Sequence, residues 1–419
     1  MKIEFVSHAG FIVEASSKKI FTDPWIKSKA FNDSWALITG DIEVDYSKID
    51  YIFVTHEHPD HFNFPTLKSI DANDRKRIKI LYQKHASTRL KDAFEKLGFS
   101  EVIELPIYKW TNIDGIELYC GSVGSMDSFL AIKSDNQIIL NLNDCVFNKK
   151  QYEYISRHIG KIDFLFTQFS FANWVGNEED EMGASEQKIA DIILQKQILS
   201  PKYIIPFASF VYFCNVENSR MNNWINTPED ISQLKIPEIQ FMYPHDEIDT
   251  NNVSFNSKLA VEKYMKHLKQ PSIDLSPTQI TFQEIVNAVE VNLELFKKKI
   301  KFPFRRMVKP FGIYIHDLDK SIYIDPSNGK WNETTRENTR YIMCSQVCWY
   351  TFKFTWGTGA LEVSGMFLDE KYPEPASKYF FFQNMLSTDF LSTKSIYQTF
   401  RTLNFIWRKK WEIFYRFVG

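Results

Sequence analysis

Hydrophobic and polar positions change in short bursts over the first 250 residues. Apolar runs rich in β-branched and aromatic residues predict strands at 3–6, 11–14, 51–55, 78–82, 116–120, 129–132, 138–142, 164–169 and 203–206. Helical spacing predicts helices at 65–70, 86–97, 149–158 and 184–199. In the last of these, Ile189, Ile192, Ile193 and Ile198 share a face, which suits packing on a sheet. Strands that follow one another closely at both ends of the block suggest antiparallel hairpins. The pattern therefore predicts a layered α/β domain with mixed sheets.

Beyond a polar stretch at 246–256, read as a linker, the pattern changes. Thr281 and Glu284 form a capping-box signature, and Ile285, Val289, Leu293, Phe296 and Ile300 then repeat at helical spacing. Residues 313–315 and 322–324 read as a hairpin. Residues 349–354 and 360–367 read as a second one, turning at Trp356-Gly-Thr-Gly359. The expected division is a domain at 1–250 and an accessory α+β region at 251–419, whose role the pattern does not indicate.

Composition narrows the class. A chain of 419 residues with 44% hydrophobic and 24% charged residues has enough apolar content for a core, which excludes a wholly disordered protein. Fifty Lys and Arg balance 52 Asp and Glu, a net charge of −2, so no nucleic-acid partner is expected. Five scattered cysteines do not form a disulfide framework and fit a reducing, cytoplasmic location. Cys344 and Cys348 lack a second Cys/His pair and read as buried thiols. Residues 1–10 show no signal-peptide pattern, and no run approaches the roughly 18 apolar residues of a membrane span. The aromatic, basic tail at 405–417 reads first as a docked helix and second as a peripheral membrane contact.

The chemistry concentrates in one place. Of nine histidines, three fall within six residues, in Thr55-His56-Glu-His58-Pro-Asp60-His61, directly after an apolar strand. Alternation along the strand lets His56 and His58 point the same way. Pro59 ends the strand, and the turn brings Asp60 and His61 to a second point nearby. Imidazoles and a carboxylate at such a loop suit divalent metal, and two points suit two ions, with Zn, Fe and Mn all open.

The spacing His56-x-His58-x-Asp60-His61 after an apolar strand resembles the metal motif of the metallo-β-lactamase superfamily. That resemblance implies an αββα sandwich of two mixed sheets with metal at one edge. His8-Ala-Gly10, Thr22-Asp23-Pro-Trp25, Ala30-Phe31 and Ser34-Trp35 resemble the opening of its lactonase-like branch. Residues 60–68, 121–127, 142–145 and 201–210 are similar to the corresponding part of the CMP-N-acetylneuraminate hydroxylases. The resemblance covers about residues 1–250. It implies His56 and His58 as ligands at one point, Asp60 and His61 at the other, and Asp144 bridging them. His8, Asp23 and Asp127 are the expected supporting residues or alternative ligands, orienting the ligand histidines by hydrogen bonds.

Two departures stand out. Val123 occupies the place of a further histidine ligand, for which Asp127 is the candidate substitute. Ala208 stands where a last histidine is usual, a loss the hydroxylases share, and His245 is a candidate replacement. Three functional expectations follow. The first is a metal-dependent hydrolase in which a metal-activated water attacks an ester, lactone or phosphoester of a small polar metabolite, with Asp60 as the catalytic residue and zinc the first choice of metal. The second is a diiron oxygenase acting on a sugar nucleotide or similar metabolite. The hydroxylases' Rieske cluster needs Cys-x-His and Cys-x-x-His pairs, which do not occur here, so a separate reductase is then required. The third is a non-catalytic scaffold whose metal site has decayed at Val123 and Ala208.

Overall fold

The structure is a computed structural model and describes residues 1–84, 88–123, 127–176, 178–269, 271–300, 304–384 and 386. It contains two compact units. The first comprises Met1–Ala172, Glu181–Tyr212 and Met221–Ser272. The second comprises Asn173–Asp180, Phe213–Arg220 and the described residues from Ile273 onward.

The first unit is built on two mixed sheets. One orders its strands Glu247–Asp249, Lys2–Phe5, Phe11–Ala15, Lys18–Thr22, Tyr51–Val54, Lys79–Gln83 and Glu101–Leu105. Its first four strands pair antiparallel and the rest parallel. The other sheet orders Tyr203–Phe207, Phe164–Gln168, Gln137–Asn143, Asp127–Ser134, Ile116–Val123 and Lys109–Ile113, parallel at first and antiparallel after.

Alternation along Tyr51–Val54 explains the layering. Tyr51 and Phe53 enter a core shared with Leu130, Ile132, Leu140 and Phe166 of the second sheet. Ile52 and Val54 point the other way, onto Leu67, Ile70, Phe94 and Leu97 of an outer helical layer. Phe11 and Phe166 stack across the two sheets with centroids 4.2 Å apart. Tyr152, Ile155 and Ile159 bring the helix Lys149–Ile159 into the same core on the second sheet's side. This is the αββα sandwich expected from the motif.

Gly121 lies opposite Phe129 in the second sheet. A Cβ there would lie 2.2 Å from two carbons of the Phe129 ring. Gly121→Ala is therefore expected to destabilise the unit by about 1–3 kcal/mol, the usual cost of overpacking. A lower denaturant midpoint at unchanged m would show this, and an unchanged midpoint would contradict it.

The polar stretch after residue 246 is not a linker. Glu247–Asp249 pairs with Lys2–Glu4 as an edge strand. The helix Ser257–Leu268 buries Ala260 and Tyr264 in the first core, and the Tyr264 hydroxyl donates to the Ser209 carbonyl at 3.0 Å. The expected boundary near 250 thus falls inside the first unit.

In the second unit, a five-stranded sheet orders Lys330–Glu333, Lys320–Asp325, Phe311–Ile315, Tyr341–Met343 and Leu368–Asp369. The helix Phe282–Lys299 carries the expected capping box, Thr281 accepting from the Glu284 amide and Glu284 from the Thr281 amide. The expected second hairpin is instead two helices, Ser345–Lys353 and Gly357–Ser364. Val347, Cys348, Thr351 and Phe352 are buried at helical spacing, and one-sided burial overrides their aromatic and β-branched content. Cys344 and Cys348 are buried free thiols, and burial pushes the Cys344 thiol up to about 12. Among the described residues no helix is long and apolar enough to cross a membrane. The tail read as a docked helix or membrane contact lies outside the described residues.

Candidate metal centre

The strand Tyr51–Val54, buried throughout, delivers Thr55 and His56 to one edge of the sandwich. Three elements fix the chain as it leaves the strand. The Thr55 amide donates to Asp23 Oδ1 at 2.8 Å, and its hydroxyl to Asp23 Oδ2 at 2.9 Å. The Ser128 hydroxyl donates to the Thr55 carbonyl at 2.5 Å, and Asn143 Nδ2 donates to Thr55 Oγ1 at 2.5 Å. A turn follows, in which the amides of His61 and Phe62 donate to the His58 carbonyl at 3.0 and 2.7 Å. Asn63 secures it, donating to the Pro59 carbonyl at 2.9 Å and capping the next helix at the Thr66 amide.

The turn carries Asp60 and His61 inward, where both are buried. His61 Nε2 lies 3.1 Å from Asp60 Oδ2 and 3.2 Å from Asp144 Oδ2. Its Nδ1 lies 3.2 Å from Asp23 Oδ2, on the opposite edge of the ring. His56 Nε2 lies 2.9 Å from His58 Nδ1, and the His56 and His61 rings are 4.2 Å apart. His8 comes from the turn between the first two strands, packs edge-on to Trp25, and places Nε2 3.3 Å from Asp60 Oδ2. Asp127 stands directly across from Val123 in the strand pairing, with Oδ1 4.0 Å from His56 Nε2.

The electrostatics centre on His61. Burial alone lowers an imidazole pKa, but the carboxylates of Asp60, Asp144 and Asp23 outweigh it and hold His61 well above the usual value. Burial raises the two aspartates, yet the charge on His61 outweighs it, and for Asp144 the His61 hydrogen bond adds to the effect. Asp60 is held well below the carboxylate range and Asp144 at about 2. His56 goes the other way, to about 4, through burial and the charge on His61. Burial, then His56, lowers His58.

The donor set fits divalent metal. His8, Asp60 and His61 place one donor atom each within 4.8 Å of one another, and so do His56, His61 and Asp144. Both ring nitrogens of buried His8 and Oδ1 of buried Asp60 have no hydrogen-bond partner. Such groups are costly in a protein interior unless something binds them. Three carboxylates converging on one imidazole also make a strongly negative pocket, which a cation relieves.

The structure thus gathers His8, Asp23, His56, His58, Asp60, His61 and Asp144 at one edge, with Asp127 beside His56. It does not gather His245, whose Nδ1 lies 3.6 Å from the Glu4 carboxylate in an exposed turn; the idea of its recruitment fails because its partner is that surface carboxylate. Four contributors have no role assigned by the motif. Thr55 and Asn143 brace Asp23. Gln168 Nε2 reaches Asp144 Oδ1 and the Ala208 carbonyl, each at 3.4 Å, and the Lys188 ammonium donates to Gln168 Oε1. Burial lowers the Lys188 pKa.

Residues 2–120 match the family model described as "Beta-lactamase superfamily domain". A cytidine monophosphate-N-acetylneuraminic acid hydroxylase of Danio rerio is 24% identical over 260 residues, 55% of this chain and 42% of that protein. A protein of Mycolicibacterium smegmatis described as a Rieske 2Fe-2S iron-sulfur protein is 24% identical over 270 residues, 59% of this chain and 51% of its own length. The chain therefore spans about half, or less, of the length of these curated relatives. The crystal structure of CmlA, a diiron beta-hydroxylase from Streptomyces venezuelae, aligns with a TM-score of 0.39 at 18% identity, over 49% of this chain and 44% of that one.

Proposed function

We propose that this chain, whose residues 2–120 carry a beta-lactamase superfamily domain and which is related to the cytidine monophosphate-N-acetylneuraminic acid hydroxylases, is a metal-dependent hydrolase. Its substrate is an ester, lactone or phosphoester of a small polar metabolite. The observation that carries this reading is the buried His/Asp cluster whose His8 nitrogens and Asp60 Oδ1 lack hydrogen-bond partners.

In this reading His56 and His58 serve one metal position, Asp60 and His61 the other, and Asp144 stands between them. Divalent ions held there would supply Lewis acidity and bring a water's pKa toward neutrality. The protein's own residues do the rest. Asp60 would accept a hydrogen bond from the attacking water and so orient it. Asp23 fixes the plane of the His61 ring from its Nδ1 side. Gln168 holds Asp144, and Asn143 with Thr55 holds Asp23.

Freshly purified protein is expected to contain zinc. Chelation is expected to abolish turnover on a panel of esters, lactones and phosphoesters, and zinc to restore it. Full activity in metal-stripped protein would sink the reading. A second reading, a diiron oxygenase served by a separate reductase, is favoured by the relationship to the hydroxylases. It predicts iron rather than zinc, with visible absorption, so elemental analysis with a spectrum separates the two.

A further inference from the structure

The two clusters share His61, and one imidazole nitrogen holds one ion. With His61 assigned beside Asp60, that position has two donors of its own from the histidine-rich turn and shares Asp144 with the other position. Catalytic metal sites commonly use about three.

His8 offers this position a third donor that is not shared. It comes from a different part of the chain, the turn after Lys2–Phe5, where the Gly10 carbonyl accepts from the amides of Val6 and Ser7. Its side chain is fully buried and neither ring nitrogen has a hydrogen-bond partner. Nε2 points at Asp60, 3.3 Å from Oδ2, and forms with Asp60 and His61 a set whose donor atoms lie within 4.8 Å of one another. The Trp25 ring packs edge-on against it and restricts its rotation. The backbone is tied as well, because the Ala208 amide donates to the His8 carbonyl at 2.7 Å. Building on the metal reading above, we infer that His8 is itself a ligand, binding the second ion through Nε2 together with Asp60 and His61.

The test is zinc stoichiometry of the full chain, by elemental analysis after loading and removal of excess metal. The wild type is expected to hold two zinc ions. His8→Phe, which fills the space against Trp25 without a donor atom, is expected to hold one, with unchanged far-ultraviolet circular dichroism. A second zinc that is retained but bound about 10–100-fold more weakly would mark His8 as a positioning residue and overturn the assignment. Two zinc ions at wild-type affinity would overturn it also. His245→Phe, as control, is expected to keep both. A wild type without zinc would instead overturn the metal reading itself. If His8→Phe does not fold, zinc-soaked wild-type crystals decide by anomalous scattering. A zinc at His8 Nε2 supports the inference, and a zinc on Asp60 and His61 away from His8 refutes it.

Discussion

Asp60→Asn is expected to leave the chain folded and to lower metal-dependent kcat/KM by roughly 10³-fold or more. The estimate takes the several kcal/mol that a metal's charge supplies to a transition state, at tenfold per 1.36 kcal/mol. The carboxylate sits between two imidazoles, 3.3 Å from His8 Nε2 and 3.1 Å from His61 Nε2. Asparagine keeps its size, removes one of the three negative charges around His61, and can no longer act as an anionic ligand. Alanine is the poorer test, because deleting one partner of a buried ion pair costs about 3–5 kcal/mol and confounds lost chemistry with lost folding. Zinc content and turnover of the asparagine variant, measured beside its thermal melting, decide the matter. Wild-type turnover in a folded Asp60→Asn protein would remove Asp60 from the mechanism.

Asp23→Ala is expected to have the largest effect on stability, about 3–5 kcal/mol in metal-free protein. Its buried carboxylate accepts from the amide and hydroxyl of Thr55, accepts from Asn143 at 3.3 Å, and lies 3.2 Å from His61 Nδ1. Removing it leaves the buried Thr55 amide without its acceptor and takes an acceptor from the Thr55 hydroxyl and from Asn143 Nδ2. The backbone adds to the cost. Asp23 has φ of 38°, a left-handed conformation that aspartate and asparagine tolerate better than alanine. Asp23→Asn, which keeps an acceptor and suits that backbone, is expected to lose much less. Denaturant melts of the two variants provide the comparison, and a loss under about 1 kcal/mol for alanine would show that Asp23 is not the tie this geometry describes.

What was legible in the sequence had a local signature. The motif from His56 to His61 stood out because an apolar strand ran straight into it. Asp23 and His8 were legible as polar residues that follow early strands. Thr55, Asn143, Gln168 and Lys188 were not. Each has an ordinary polar side chain, and each meets its partner through the packing of elements that are separate in the chain. The strands Glu101–Leu105 and Lys109–Ile113 escaped notice because polar residues interrupt them. The error at 349–367 had the opposite cause. Trp349, Tyr350, Phe352 and Phe354 suggested strands by residue type, while the spacing of the buried positions was that of a helix.

The edge strand Glu247–Asp249 has a consequence for how the protein folds. It lies against Lys2–Glu4, and beside it the Thr250 hydroxyl donates to the Met1 carbonyl, 249 positions away. During synthesis the first strand must wait, with one edge uncovered, until nearly the whole unit has emerged. Contacts this distant are slow to form, because loop-closure entropy is lost before they contribute. The second unit also draws in residues 173–180 and 213–220 from within the first, so no single cut in the chain separates the two. Folding is therefore expected to be largely post-translational, with the exposed Lys2–Phe5 edge the point most open to mispairing while the chain is incomplete.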